Sequence, residues 1–181
     1  MRAVEGPDTV AQAIAQVRHV AARAFGDDGV YLERFLPRAR HVEVQVFGFG
    51  DGRAVHLFER DCTLQRRHQK VVEEAPAPDL PEAVRTAMAG AAVRLAASIG
   101  YAGAGTVEYL YDPGHHAFHF LEMNTRIQVE HPVTEMVTGI DLVAAQIRLA
   151  LGQDVAGDLA QERLSIRGHA IEARVYAENP A

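Results

Sequence analysis

The feature that decides the fold of this chain is a strand that leaves a core and enters a polar loop, FLEMNTRIQVEHP over residues 120–132. At a spacing of two residues, one face of this strand carries two aromatic rings, then a carboxylate and an amide: Phe118, Phe120, Glu122 and Asn124. We therefore expect the strand to run from a hydrophobic core into a polar site. Three polar side chains follow in the loop before Pro132: Arg126, Gln128 and Glu130.

A second strand, Gly105–Tyr111, precedes a turn sequence and predicts a hairpin. If five residues form the loop, Asp112 pairs with Phe118 and Glu108 lies opposite Glu122. Opposed Cβ atoms are about 4.5–5.5 Å apart, so two such carboxylates favour a cation between them. The hard oxygen ligands suit Mg²⁺ or Mn²⁺, and the ligand set would be Glu108, Glu122 and Asn124. The alternative is a pair of solvated acids, and a slip of one residue would put them on opposite faces.

Composition and charge exclude several classes of protein. The 181 residues are 48% hydrophobic with a net charge of −6, which argues against nucleic-acid binding. Cys62 is the single cysteine, so a disulfide framework is excluded and a cytoplasmic location is expected. We expect Cys62 to be packed rather than nucleophilic. The longest largely apolar, uncharged stretch has 13 residues, whereas a membrane-spanning helix needs about 20, so we expect no membrane span.

The remaining pattern predicts an α+β fold. Helices are expected over residues 9–24, 81–99 and 141–151, and strands over 41–47, 54–60 and 166–176, with 30–36 a short strand or linker. In the strand 41–47, three valines share one face, and the other face carries His41, Glu43 and Gln45. Residues 61–78 break the alternation and are expected to form a loop. Its basic run QRRHQK, residues 65–70, could contact an anion or could be solvated.

Three long motifs resemble those of biotin carboxylases: ERDCTLQRRHQKVVEEAP at 59–76, EMNTRIQVEHPVTEM at 122–136 and RGHAIEAR at 167–174. The resemblance covers nearly the whole chain and implies a partial ATP-grasp fold. Residues 1–36 would be part of the lid domain up to the adenine hinge. Residues 37–181 would be the catalytic antiparallel-sheet domain and the start of the C-terminal domain. In the family a glycine-rich phosphate loop precedes the position of Met1, so we expect both ends to be cut and the isolated chain to be inactive.

The resemblance also implies a role for each matching residue. The backbone of the adenine hinge would be Glu33, Arg34, Phe35 and Leu36. Further contacts to ATP and its metal would come from His41, Gln65, His68, Lys70, Glu108 and Glu122. Bicarbonate and biotin would be bound by Lys70, Arg126, Gln128, Val129, Glu130 and Arg174. The catalytic residues among these would be Lys70, Arg126, Glu130 and Arg174.

The implied reaction is the ATP-dependent carboxylation of biotin by bicarbonate through carboxyphosphate. Arg126 would grip bicarbonate in bidentate fashion, Glu130 would remove its proton, and Arg174 would face biotin. The implied partners are a biotinylated carrier, a carboxyltransferase component and a second copy of the full-length chain. Two alternatives stay open: a carbamoyl-phosphate synthetase-like ligase of the ATP-grasp class, and a non-catalytic fragment.

Overall fold

A computed structural model describes residues 2–4 and 6–177, which fall into two compact units divided between Pro37 and Arg38. The first unit contains helix α1 (Pro7–Phe25), which confirms the predicted helix. Pro7 suits the first turn, and Gly26, with a φ of 72°, ends the helix by donating to the Ala22 carbonyl. The segment that follows has no regular structure, so 30–36 is a linker and not a strand. The assignment of these units to lid and catalytic domains stays a prediction.

The second unit contains one antiparallel sheet of six strands in the order β5-β4-β1-β2-β3-β6. The strands are β1 (Arg40–Phe49), β2 (Ala54–Arg66), β3 (Gln69–Ala75), β4 (Ala102–Asp112), β5 (Ala117–Asn124) and β6 (Ala170–Ala173). The helices are α2 (Glu82–Ser98), α3 (His131–Thr138) and α4 (Leu142–Ala150), and a 3₁₀ turn spans Gln161–Arg163. No helix among the described residues is long and apolar enough to span a membrane.

The central strand β1 is buried on both faces. Its three valines pack against α2, where Met88 is fully buried, and this packing forms the main core. Burial of a side chain such as Met88 contributes roughly 1.5–3 kcal/mol. The opposite face of β1 carries Glu43 and Gln45, both fully buried, and then Phe47, which joins a second core with α4. A buried polar site therefore lies on the sheet face opposite α2.

The predicted loop over residues 61–78 is wrong. Strand β2 continues to Arg66, a two-residue turn follows, and β3 returns from Gln69. The turn residues Arg67 and His68 have φ values of 52° and 63°, the left-handed backbone that tight hairpin turns use. Neither is glycine, asparagine or aspartate, so the usual sequence signal for such a turn is missing. The basic run, residues 65–70, therefore forms the end of β2, the turn and the start of β3.

The β4–β5 hairpin differs from prediction in its loop and agrees with it at the acids. Asp112 pairs with Ala117, not with Phe118, so the loop is one residue shorter than expected. A bulge at Leu121 then compensates, and Glu108 lies opposite Glu122 as predicted. The bulge also separates the residues that were predicted to share a face. Phe118 and Phe120 contact the Tyr109 ring on the core side, and Glu122 and Asn124 lie with Glu108 on the polar side.

The predicted strand over 166–176 is shorter in the structure. Strand β6 pairs with β3 over four residues, and His169 and Arg174 flank it on either side. The backbone N–H of Arg174 still donates to the Val71 carbonyl at 2.9 Å, which fixes the start of its side chain beside β3. The helices predicted over 81–99 and 141–151 are confirmed, and Asp141 caps α4 by accepting from the backbone N–H of Ala144.

Candidate active site

Lys70 lies at the centre of the polar face of the sheet. Its ammonium group contacts three carboxylates from three different elements: it lies 2.7 Å from Oε1 of Glu108 and of Glu130, and it also contacts Glu43. Burial alone would lower the pKa of Lys70, but the negative charge of Glu43 and the neighbouring carboxylates outweigh it and raise the pKa. Lys70 is therefore a permanent cation here. The β2–β3 hairpin therefore brings the last residue of the basic run to Glu108.

Arg60 is a second cation in this cluster, and it is fully buried. It donates to side chains from β1, β4, the loop before α3 and α3 itself: Glu43, Gln45, Thr106, Gln128 and Thr134. Burial would raise the pKa of Glu43, but the charges of Arg60 and Lys70 and its contact with His41 hold that pKa well below its usual range. Arg60 and Glu43 thus form a satisfied buried ion pair that connects the sheet to the loop.

Glu108 collects hydrogen-bond donors from several elements. Its Oε1 accepts from Asn124 and from Gln128, both at 2.9 Å, in addition to Lys70. Its Oε2 lies 2.8 Å from Nε2 of His41. Burial raises the pKa of Glu108, but the contacts with His41 and Lys70 outweigh burial and lower that pKa. For His41, burial lowers the pKa, but the contacts with Glu108 and Glu43 outweigh burial and raise it to about 9.

The predicted metal ligands fit a hard divalent cation in their chemistry. Two carboxylates face each other across adjacent strands, and the Asn124 amide lies between them, 2.9 Å from Glu108 and 3.4 Å from Glu122. Glu122 is exposed, so it can turn toward an ion from solvent. The structure also brings together a set that the sequence did not predict. One ligating atom from each of His41, Glu43 and Glu108 lies within 4.8 Å of the others.

The loop after β5 presents one group to solvent and buries two. Arg126 is exposed, and its guanidinium donates to the Ile127 carbonyl at 3.1 Å and to Asn124 at 3.4 Å. Gln128 and Glu130 are buried, the latter as the cap residue of α3. Val129 is exposed between them. The loop can therefore offer a guanidinium to a solute while the Glu130 carboxylate stays shielded from water.

Arg174 reaches the same cluster from the end of β6. One terminal nitrogen lies 2.6 Å from Oε2 of Glu130, and its Nε lies 2.8 Å from Oε1 of Glu73. Glu130 is thus held between two cations, Lys70 and Arg174. Neither Glu73 nor the buried pair of Arg60 and Glu43 was predicted as part of the site. The alternation of His41, Glu43 and Gln45 along a strand was the available signal, because it put polar groups on one face.

The other predicted residues lie further out. Gln65 is exposed on β2, and its amide nitrogen lies 3.0 Å from Nδ1 of His41. His68 is exposed in the turn between β2 and β3. The four predicted hinge residues belong to the first unit, in the segment without regular structure: Glu33, Arg34, Phe35 and Leu36. Their roles stay predictions, as do the individual roles of the residues in the cluster.

Comparison with known proteins identifies the family. Residues 1–157 match the family model of the carbamoyl-phosphate synthase L chain, ATP-binding domain. The chain is 51% identical to biotin carboxylase of Haemophilus influenzae over 180 residues, which is 99% of this chain and 39% of that protein. It is 52% identical to the mitochondrial methylcrotonoyl-CoA carboxylase subunit alpha of Rattus norvegicus over 99% of this chain and 25% of that protein.

A solved structure agrees with these sequence matches. It is the biotin carboxylase domain dimer of Hydrogenobacter thermophilus 2-oxoglutarate carboxylase, in complex with MgADP, ADP and bicarbonate. The TM-score is 0.88 at 41% identity, over 99% of this chain and 39% of that one. The antiparallel sheet and its helices therefore have the ATP-grasp fold, as predicted. The chain belongs to the ATP-binding domain family of the carbamoyl-phosphate synthase L chain, and within it to the biotin carboxylases.

Proposed function

We propose that this chain carries the bicarbonate-activating site of a biotin carboxylase, which uses ATP and bicarbonate to carboxylate biotin on a carrier protein. One observation carries the proposal. Glu130 is buried, yet it is held between Lys70 and Arg174 beside a loop whose Arg126 is exposed. A shielded base, a fixed ammonium and an exposed guanidinium are the groups needed to bind and deprotonate a small planar anion.

Arg126 would bind bicarbonate first. A guanidinium donates two parallel N–H groups that match two oxygens of a planar anion, which a lysine ammonium cannot do. Glu130 would then accept the proton of the bicarbonate O–H, and the oxygen would attack the γ-phosphorus of ATP as ADP leaves. A general base contributes typically about 10²–10⁴-fold to such a step. The product would be carboxyphosphate.

Protonation of Glu130 has a consequence for its neighbours. The neutral carboxyl attracts Lys70 and Arg174 less strongly, so their N–H groups become available to anions in the site. Lys70 would then contact the transferring phosphoryl oxygens. Carboxyphosphate would break down to CO₂ and phosphate, and phosphate would take the proton from the ring nitrogen of biotin. Arg174 would stabilise the charge that develops on the ureido oxygen of biotin.

Mg²⁺ or Mn²⁺ would be held by Glu108 and Glu122, with Asn124 beside them, and would neutralise charge on the phosphates of ATP. The Hydrogenobacter domain was solved with MgADP and bicarbonate, which supports the same ligands for this chain. Glu33–Leu36 would contact adenine, and His41, Gln65 and His68 would contact the nucleotide. We further propose a biotinylated carrier and a carboxyltransferase as partners, a homodimer of the full-length protein and a cytoplasmic location.

A chimera tests this function directly. Residues 1–181 replace the matching segment of the Haemophilus influenzae enzyme, and ADP release is measured with and without bicarbonate and free biotin. We expect release that requires bicarbonate and rises with biotin. The control is the unmodified Haemophilus enzyme. ADP release by a folded chimera that does not depend on bicarbonate would contradict the proposal. Release that requires ammonia instead of biotin would favour the alternative of a carbamoyl-phosphate synthetase-like ligase.

A further inference from the structure

Glu73 is an unusual carboxylate in this sheet. Its side chain is fully buried, and neither carboxylate oxygen has a hydrogen bond within the described part of the chain that meets normal geometry. Its close partner is the guanidinium of Arg174, whose Nε lies 2.8 Å from Oε1. A buried carboxylate is costly unless a cation compensates for its lost hydration. The position of Glu73 therefore depends on Arg174, which contacts Glu130 as well.

The surroundings of Glu73 leave Arg174 as its main source of positive charge. Directly across β3 and β6, Glu73 faces another carboxylate, Glu172, and opposed like charges are destabilising. Glu130 adds a third negative charge to these surroundings. Burial and these acids raise the pKa of Glu73, and the Arg174 guanidinium opposes that increase. Arg174 thus lies between two buried carboxylates, Glu73 and Glu130. Glu130 also contacts a second cation, Lys70, whereas Arg174 is the close cation of Glu73.

The two carboxylates that hold Arg174 have different roles in the reaction. Glu130 would change its protonation state in each cycle, and its attraction for Arg174 would weaken when it carries the proton. Glu73 has no part in that proton transfer. We propose that Glu73 is a positioning residue that keeps the Arg174 guanidinium in place for biotin while Glu130 is protonated. This inference rests on the proposed function, because it requires Arg174 to act on biotin.

The test compares neighbouring residues on opposite sides of one strand. Glu73→Gln keeps the shape of the side chain and removes its charge. Glu74→Gln makes the same change at the next residue, whose carboxylate pairs with the exposed His169 at 2.6 Å. Both are made in the chimera, and ADP release is measured with bicarbonate alone and with bicarbonate plus free biotin. Thermal unfolding of each variant is recorded alongside.

We expect Glu73→Gln to keep its ADP release with bicarbonate alone and to lose about 10- to 100-fold of the further ADP release that free biotin induces, since misplaced groups cost about that much. Glu74→Gln should resemble the wild type, and Glu73→Asp should recover part of the loss. Equal behaviour of the Glu73→Gln and Glu74→Gln variants would overturn the inference. Parallel loss of both activities with a lower melting temperature in the Glu73→Gln and Glu73→Asp variants would also overturn it. If the wild-type chimera ignores bicarbonate, the proposed function fails instead.

Discussion

Replacing Arg60 should destabilise the folded chain. The guanidinium is fully buried and donates to five side chains that come from four separate segments. Arg60→Met leaves Glu43 buried with one cation fewer, and loss of one partner of a buried ion pair costs about 3–5 kcal/mol. That is a large fraction of the roughly 5–15 kcal/mol by which domains are stable. Solvent does not screen the attraction between Arg60 and Glu43, because both side chains are fully buried.

Urea unfolding of the purified chain, followed by circular dichroism, measures this loss. With a slope of about 2 kcal/mol per molar urea, the midpoint should fall by about 2 M. Arg53→Met is the matched control, because Arg53 forms an exposed pair with Asp51 and its loss should not change the midpoint measurably. Adding Glu43→Gln to Arg60→Met should recover part of the stability by removing the negative charge that Arg60 no longer compensates. A midpoint for Arg60→Met equal to that of the control would mean that the buried ion pair does not stabilise the fold.

Three further predictions follow from the site. In the chimera, Glu108→Gln should weaken MgADP binding about 10- to 100-fold in calorimetry, since a charged hydrogen-bonding group is worth about 1.5–3 kcal/mol, whereas Glu82→Gln on α2 should bind normally. Arg126→Ala should lower bicarbonate-dependent ADP release about 100-fold or more with MgADP binding retained, and wild-type rates would refute the role of that guanidinium. Burial raises the pKa of the Cys62 thiol, so the native chain should react slowly with a disulfide reagent at pH 8, and the chain unfolded in urea should react rapidly. A fast reaction of the native chain would contradict the burial of Cys62.

The alternation of residues predicted the sheet better than it predicted the connections. Strand β1 has branched residues on one face and His41, Glu43 and Gln45 on the other. Its position between a core and a polar site could therefore be predicted from the sequence. The β2–β3 hairpin was missed because its turn has no glycine, and two non-glycine residues adopt positive φ there. The surrounding strand pairing determines that backbone conformation, and local sequence does not encode it.

The pairing of Glu108 with Glu122 was predicted correctly, although the predicted length of the hairpin loop was wrong. The loop was assumed to be one residue too long, and the bulge at Leu121 cancelled that error, so Glu108 and Glu122 still paired. A bulge depends on packing on both sides of a sheet, which periodicity along one strand does not report. The same limit applies to Arg60 and Glu73. Each lies in a recognisable motif, but its partners lie in distant parts of the chain, and the arrangement of the elements is needed to identify them.

In the proposed reaction, an oxygen of bicarbonate attacks the γ-phosphorus of ATP. The most direct measurement uses ¹⁸O-labelled bicarbonate in the chimera and the mass of the released phosphate. If bicarbonate is the nucleophile, the phosphate formed in a short reaction carries one ¹⁸O atom, because the new oxygen–phosphorus bond survives the breakdown of carboxyphosphate. Unlabelled phosphate, released at a rate that still depends on bicarbonate, would mean that water attacks ATP and would contradict the account.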